Sequence, residues 1–210
     1  MGPFFVDIDT QYDFLDPSGA LYVPGADKLI PVYEALYEEI REHGLLTIGS
    51  VDAHESGDPE FREFPPHCVK GEPGQLKHAV TLLEDCRFVE NSPDGMVSAL
   101  GLNWRETPPD SLPRQIMFEK QGFSLFGNQH VESFLPKLAG RDAVVFGVAT
   151  DYCVRAAVIG LLDRGFVTRL ITDAVKPVYE DKGLAALEEM AARGASFIDS
   201  AQALQIARER

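Results

Sequence analysis

Residues 142–164 decide the fold and read DAVVFGVATDYCVRAAVIGLLDR. The first seven residues, 142–148, are mainly apolar and β-branched, which is typical of a strand buried on both faces. Residues 151–164 then carry apolar side chains at helical spacing, and Gly165 follows where a helix commonly ends. A buried strand that leads directly into a helix is the repeating unit of α/β proteins.

The rest of the chain repeats this alternation of strand and helix. Apolar runs predict strands at residues 3–9, 45–51, 86–90, 115–119, 167–171 and 195–198, and periodicity predicts helices at 26–43, 131–138 and 181–193. Asp199 is placed to cap a closing helix. We therefore predict a single α/β domain over residues 1–210, with three layers: a mostly parallel, Rossmann-like sheet and helices on both faces. Ligands bind at the carboxyl ends of the strands in such folds.

Composition excludes several classes of function. The 210 residues carry a net charge of −14, which disfavours binding to nucleic acid. No apolar run reaches the roughly 18 residues of a membrane span, and the N-terminal MGPFFVDID does not resemble a signal peptide. Three cysteines without metal-type spacing make a disulfide framework unexpected, so a reducing cytoplasm is the expected location.

Cys153 is the cysteine most suited to chemistry. It follows the strand of residues 142–148 and falls in the first turn of the next predicted helix. The helix dipole and free backbone N–H groups there would favour a thiolate, the nucleophilic form, and could hold an oxyanion. A buried cysteine that only packs the helix is the alternative.

Two further ionisable residues lie at predicted strand ends. Asp9 ends the first strand, although Asp7 has the same parity, and a turn or capping role is also open. Lys120 follows the strand of residues 115–119, where it could stabilise a thiolate or simply lie on the surface. With Cys153, these residues would form one site at the carboxyl edge of the sheet.

A second group of residues is suited to a divalent metal. Asp52 and His54 follow the second strand at i, i+2 spacing, which points both side chains the same way in an extended segment. His67 follows two prolines, and Glu60 lies between the histidines. Carboxylate and imidazole ligands suit zinc, iron or manganese, whereas the alternative is a loop held by ordinary hydrogen bonds.

Aromatic residues flank these groups. Phe14, Phe64, Phe123 and Phe126 could form a flat apolar slot for a planar ring, although core packing is the stronger explanation for any one of them.

Taken together, four stretches resemble the isochorismatase-like cysteine hydrolases, and within them the nicotinamidases. DTQYDF (residues 9–14) is similar to the family's opening motif, and VDAHESGDPEFREFPPHCV (51–69) to the nicotinamidase metal loop. FEKQGFSLF (118–126) is similar to the segment that carries the family lysine, and GVATDYCV (147–154) to the nucleophile segment.

The resemblance implies roles for the site residues. It selects Asp9 over Asp7 as the acid that works with Lys120 and the nucleophile Cys153. It places the oxyanion hole at the backbone N–H groups of Ala149 and Cys153, after a cis peptide.

It also implies the ligands. A divalent metal (Zn, Fe or Mn) would be held by Asp52, His54, Glu60 and His67, with no organic cofactor. The substrate would contact Phe14, Phe64, Phe123 and Tyr152.

The implied reaction is cleavage of nicotinamide to nicotinate and ammonia, by a protein that is expected to form a homo-oligomer. Hydrolysis of another small amide or carbamoyl compound is the alternative within the family, and a non-catalytic binding protein is the alternative outside it. Residues 91–113 do not match the family pattern and could reshape the mouth of the pocket.

Overall fold

The sheet is built from strands whose side chains are buried on both faces. In the computed structural model, which describes residues 2–209, seven parallel strands lie in the order β3-β4-β2-β1-β5-β6-β7. The strands are β1 Phe4–Ile8, β2 Thr47–Asp52, β3 Arg87–Val89, β4 Gln115–Lys120, β5 Ala143–Val148, β6 Thr168–Lys176 and β7 Ser196–Ile198. The prediction of a mostly parallel sheet is thus confirmed.

Helices cover both faces of this sheet. They are α1 Tyr12–Leu15, α2 Ile30–Glu42, α3 Gly95–Leu100, α4 Val131–Phe134, α5 Arg155–Asp163, α6 Glu180–Ala192 and α7 Ser200–Arg208. Successive side chains of β1 alternate between the two faces. Phe4, Val6 and Ile8 join the apolar core beneath α5 and α6, whereas Phe5 joins the core beneath α2 and α7. The predicted three-layer α/β fold is therefore correct.

Several boundaries differ from the sequence predictions for physical reasons. The predicted helix of residues 26–43 begins as a 3-10 turn, Ala26–Leu29, before α2 takes over. Strand β6 extends five residues beyond the predicted end at Ile171. The prediction stopped there because the exposed pair Thr172 and Asp173 interrupts the apolar pattern of the strand. Helices α1 and α3 were not predicted, since they are short and lie in segments without clear periodicity.

The predicted cap at the start of the closing helix is present. Asp199 caps α7 through a reciprocal pair of hydrogen bonds with Gln202. Within residues 2–209 the helices are all too short or too polar to cross a bilayer.

Candidate active site

Four neighbouring strands deliver ionisable side chains to the same edge of the sheet. Asp9 follows β1, Asp52 ends β2, Lys120 ends β4, and Cys153 follows β5. Asp52 and Lys120 are directly paired across β2 and β4. Because the strands are parallel, their carboxyl ends meet, and the structure brings these four side chains together at that edge.

Lys120 lies at the centre of this group. Its side chain is almost completely buried, with Nζ 2.9 Å from Asp9 Oδ2 and 3.5 Å from Cys153 Sγ. The same ammonium donates to Asp52 Oδ1. Burial acts to lower the pKa of Lys120, but the carboxylates of Asp52 and Asp9 together have the larger effect and raise this pKa well above its ordinary value. The ammonium therefore stays charged.

The positive φ of Asp9 distinguishes it from Asp7. At φ 51°, Asp9 ends the regular alternation of β1, and its Oδ1 accepts a hydrogen bond of 2.7 Å from Ser50 Oγ. Asp7 instead pairs with Lys77 at 2.7 Å and accepts from the Tyr37 hydroxyl. Of the two aspartates, Asp9 is the one that shares Lys120 with Cys153.

Cys153 lies in a tight turn between β5 and α5. This π-helical turn, Thr150–Val154, follows the peptide bond between Val148 and Ala149, which is cis as the resemblance implied. The backbone N–H groups of Tyr152 and Val154 both donate to the Ala149 carbonyl, at 3.1 Å each.

Burial outweighs the effect that the sequence position of Cys153 predicts, which is to favour a thiolate. Burial raises the pKa of the Cys153 thiol well above its ordinary value, and the opposing effect of Lys120 does not overcome it. Two of the turn's N–H groups are also taken by the Ala149 carbonyl rather than aimed at sulfur. Burial likewise raises the pKa of Asp9, against Lys120. Burial is therefore the largest influence on both groups, and it raises the pKa of the thiol and of the carboxyl alike.

Asp52, His54 and His67 form a buried group with metal-ligating side chains. Asp52 Oδ2 lies 3.7 Å from Nε2 of each histidine, and one ligand atom from each residue falls within 4.8 Å of the others. Backbone hydrogen bonds join the two segments, from His54 N–H to the Cys68 carbonyl and from Lys70 N–H to the His54 carbonyl. His67 Nδ1 lies 2.8 Å from the Pro65 carbonyl.

The chemistry of these three residues fits a divalent cation. Both ring nitrogens of His54 are buried without an aligned hydrogen bond, although Nδ1 lies 3.0 Å from Asp58 Oδ2. One carboxylate with two imidazoles is a donor set that zinc, iron and manganese accept. Burial lowers the pKa of His54, but Asp52 and Asp58 raise it to about 9. Burial acts to raise the pKa of Asp52, yet Lys120 and the histidines hold it well below its usual range. The site therefore attracts positive charge.

Glu60 lies beside this group rather than within it. Its Oε1 is 3.9 Å from His67 Nε2, and the three-residue cluster of metal-ligating atoms does not include it. Burial and the nearby Asp52 raise the pKa of Glu60. Its role as a fourth ligand stays a prediction.

A pocket opens over Cys153 and reaches the metal-ligating group. Its empty volume, including the mouth, is about 390 Å³. The four aromatic residues predicted to contact the substrate all line this pocket: Phe14, Phe64, Phe123 and Tyr152. Its polar end is formed by Asp52, Glu60 and His67, and Ala149 and Cys153 line it as well. The other walls are aliphatic, which makes the pocket a narrow apolar slot with one polar end.

The expectation that Phe126 flanks this slot is wrong. Its ring packs in the core beside α5, with the Arg164 guanidinium 3.7 Å above it, and it does not line the pocket. Phe123, three residues earlier, does reach the pocket, and its ring centroid lies 5.1 Å from that of Tyr152.

Two residues of the DTQYDF stretch hold the site in ways that the sequence did not reveal. Gln11 accepts from the Asp52 N–H at 2.7 Å and donates to the Asp52 carbonyl at 2.9 Å. Asp13 Oδ2 accepts from the Cys68 N–H at 2.7 Å, next to His67. Their place in a motif beside Asp9 was a signal, but only the fold shows what they contact.

Comparison with known proteins shows which hydrolases the chain resembles. Residues 104–202 match the isochorismatase domain family. The nicotinamidase/pyrazinamidase of Mycobacterium tuberculosis is 29% identical, over 87% of this chain and 91% of its own. The nicotinamidase of Escherichia coli is 26% identical, over 90% and 91%. The crystal structure of the Pyrococcus horikoshii pyrazinamidase in complex with zinc shares 28% identity, covers 95% of this chain and 99% of its own, and gives a TM-score of 0.75.

By its domain match and its fold, the chain resembles the isochorismatase-like hydrolases, the family that its sequence motifs resemble as well. Within that family, the relatives it resembles over most of their length are nicotinamidases and pyrazinamidases.

Proposed function

We propose that this protein hydrolyses nicotinamide to nicotinate and ammonia through a thioester on Cys153, with a divalent metal in the same pocket. The observation that carries this proposal is that Asp9 and Lys120 meet at Cys153, and that Cys153 shares one pocket with Asp52 and His67 of the group that could hold a metal. The names of the relatives support the same substrate class.

The walls of the pocket suit a flat heteroaromatic ring. Phe14 and Phe64 line the slot beside His67, with ring centroids 5.5 Å and 6.4 Å from the imidazole. A ring held between them would direct its amide towards Cys153. Phe123 and Tyr152 would close the outer side, since both line the pocket.

The first half of the reaction needs a proton acceptor beside the thiol. As Cys153 Sγ attacks the amide carbon, its proton passes to the Asp9 carboxylate, and the carbonyl oxygen becomes an oxyanion. The backbone N–H groups of Ala149 and Cys153 would hold this oxyanion. Collapse of the intermediate breaks the C–N bond, and ammonia leaves with the proton from Asp9.

The second half reverses the proton transfer. Water attacks the thioester and gives one proton to Asp9, the C–S bond breaks, and the proton returns to Cys153 as nicotinate leaves. Lys120, with Nζ 3.5 Å from the sulfur, stabilises the negative charge that sulfur carries in both halves.

Asp52, His54 and His67 would hold the metal, with Glu60 close enough to assist. When bound, the metal supplies a Lewis acid for the pyridine nitrogen of nicotinamide. Asp52 joins the two parts of the site, because one of its oxygens faces the histidines and the other accepts from Lys120.

Release of ammonia from a small panel of amides tests the proposal. The zinc-loaded protein should hydrolyse nicotinamide much faster than benzamide, which has the same shape but no ring nitrogen. Equal rates for the two amides would remove the metal from substrate binding. Preference for an N-carbamoyl compound would instead show another activity of the family.

A further inference from the structure

Asp58 faces the ring nitrogen of His54 that points away from the other metal-ligating atoms. His54 is fully buried, and its Nδ1 lies 3.0 Å from Asp58 Oδ2. The other ring nitrogen, Nε2, lies 3.7 Å from Asp52 Oδ2. A carboxylate on the far nitrogen of a histidine ligand fixes the orientation of the ring and directs the second nitrogen at the metal.

The second oxygen of Asp58 is also in use. Asp58 Oδ1 accepts from the Glu60 N–H at 2.9 Å and so caps the 3-10 turn Pro59–Arg62. Pro59 begins this turn, and the Asp58 N–H donates to the Glu55 carbonyl at 3.0 Å. One side chain therefore connects the imidazole of His54 to the backbone that carries Glu60.

Capping alone does not require an aspartate at this position. Serine, threonine and asparagine cap helical turns about as well. Serine is too short to reach both the Glu60 N–H and His54, so the 3.0 Å contact with the imidazole is what the longer carboxylate adds.

We propose that Asp58 is a positioning residue for the metal centre, which orients His54 and ties that orientation to the turn carrying Glu60. This inference rests on the metal site of the proposed function. Its effect is on metal affinity, which is measured without turnover.

Zinc affinity of the purified chain tests this role, measured by competition with a fluorescent chelator for wild type and three variants. Asp58→Ser keeps the cap and loses the contact with His54, and it should weaken zinc binding roughly 10- to 100-fold. Asp58→Asn keeps an acceptor oxygen and should recover part of that loss. Glu63→Gln removes a negative charge from an exposed position just past the same turn and should leave zinc affinity unchanged.

The outcomes separate this inference from the metal site itself. Equal zinc affinity in wild type and Asp58→Ser would overturn the role of Asp58 and leave the metal site standing. A loss in Glu63→Gln as large as in Asp58→Ser would overturn it too, because it would then reflect net charge. A wild-type protein that binds no zinc would overturn both the metal site and the inference.

Discussion

Asp7 and Asp9 lie two residues apart, and both are completely buried, yet their surroundings give them different tasks. Asp7 is enclosed by the Lys77 ammonium and the Tyr37 hydroxyl, which hold it in a structural ion pair. Asp9 shares Lys120 with Cys153, and burial raises its pKa. The alternation of β1 could place both near the end of the strand but could not separate them, because their partners come from distant segments; only the motif resemblance favoured Asp9.

Replacement of Asp9 tests whether it moves the proton. Asp9→Asn keeps the shape and the contact with Ser50 but removes the proton acceptor beside Cys153. We expect kcat for amide hydrolysis to fall roughly 10²- to 10⁴-fold, the range of general acid–base catalysis. Steady-state ammonia release measures this.

Asp7→Asn is the matched comparison. It should lower the free energy of unfolding, because it leaves the buried Lys77 charge without its carboxylate, but folded protein should keep its kcat. A loss of kcat in Asp7→Asn that equals the loss in Asp9→Asn would contradict the assignment.

The sequence around Cys153 was not enough to predict the pKa of its thiol. The position after a strand identified Cys153, but the pKa of its thiol depends on burial, which no pattern of neighbours in sequence reveals. In the proposed reaction, the thiol proton therefore passes to Asp9 as the sulfur attacks the amide carbon.

At the scale of elements, the end of β1 explains how the site is held. The backbone of β1 leaves the sheet at Asp9, where φ is 51°. Beyond this point the side chain of Gln11 takes the place of the backbone hydrogen bonds between β1 and β2, since it forms hydrogen bonds with both the N–H and the carbonyl of Asp52. It also donates to the Gln75 carbonyl at 2.7 Å, which fixes the following loop.

Gln11→Leu should therefore destabilise the fold. Leucine matches much of the volume but leaves the N–H and carbonyl of Asp52 without partners, at roughly 1–3 kcal/mol for each buried group. We expect the free energy of unfolding in urea to fall by at least about 2 kcal/mol.

Gln121→Leu provides the control, because Gln121 is exposed and donates to the Ala53 carbonyl at the same edge. It should change the free energy of unfolding by less than about 1 kcal/mol. Similar losses in the two variants would show that Gln11 has no special part in holding β2.

Periodicity predicted the strands that carry the site, and their order along the chain, because these strands are apolar and buried. It could not predict α3, within residues 91–113, or the packing of Phe126 in the core. The helix α3 is short and lacks clear periodicity, whereas the packing of Phe126 depends on contacts with Gly160 and Arg164, which are distant in sequence. The single-domain assignment and the fourth metal ligand Glu60 stay predictions.

At the scale of the whole molecule, ion pairs join neighbouring helices on the outside of the sheet. Three arginine–glutamate pairs connect α2 with α7, α5 with α6, and α4 with the residue that follows α5: Glu39 with Arg208, Arg155 with Glu189, and Glu132 with Arg164. In each pair the hydrogen bond from arginine lowers the pKa of the glutamate.

This gives a pH dependence with a definite sign. A carboxylate whose folded-state pKa is lowered contributes stability above its unfolded pKa, about 4.3 for glutamate, and loses it as pH falls through the folded value. Glu39→Gln should therefore be less stable than wild type at pH 7, and the difference should narrow as pH falls towards 3.

Denaturant unfolding at the two pH values measures that difference. Glu38→Gln removes an exposed charge from the same helix and should show a smaller effect at pH 7. A gap between wild type and Glu39→Gln that is the same at both pH values would contradict the ion-pair explanation.

The central claim is that Cys153 is the nucleophile of an amidase. It is tested most directly by ammonia release from nicotinamide, with zinc-loaded wild type, Cys153→Ala and the control Cys86→Ala. We expect turnover by wild type and Cys86→Ala, and a loss of at least about a thousandfold in Cys153→Ala with the fold retained. Turnover by Cys153→Ala at the wild-type rate would contradict this claim.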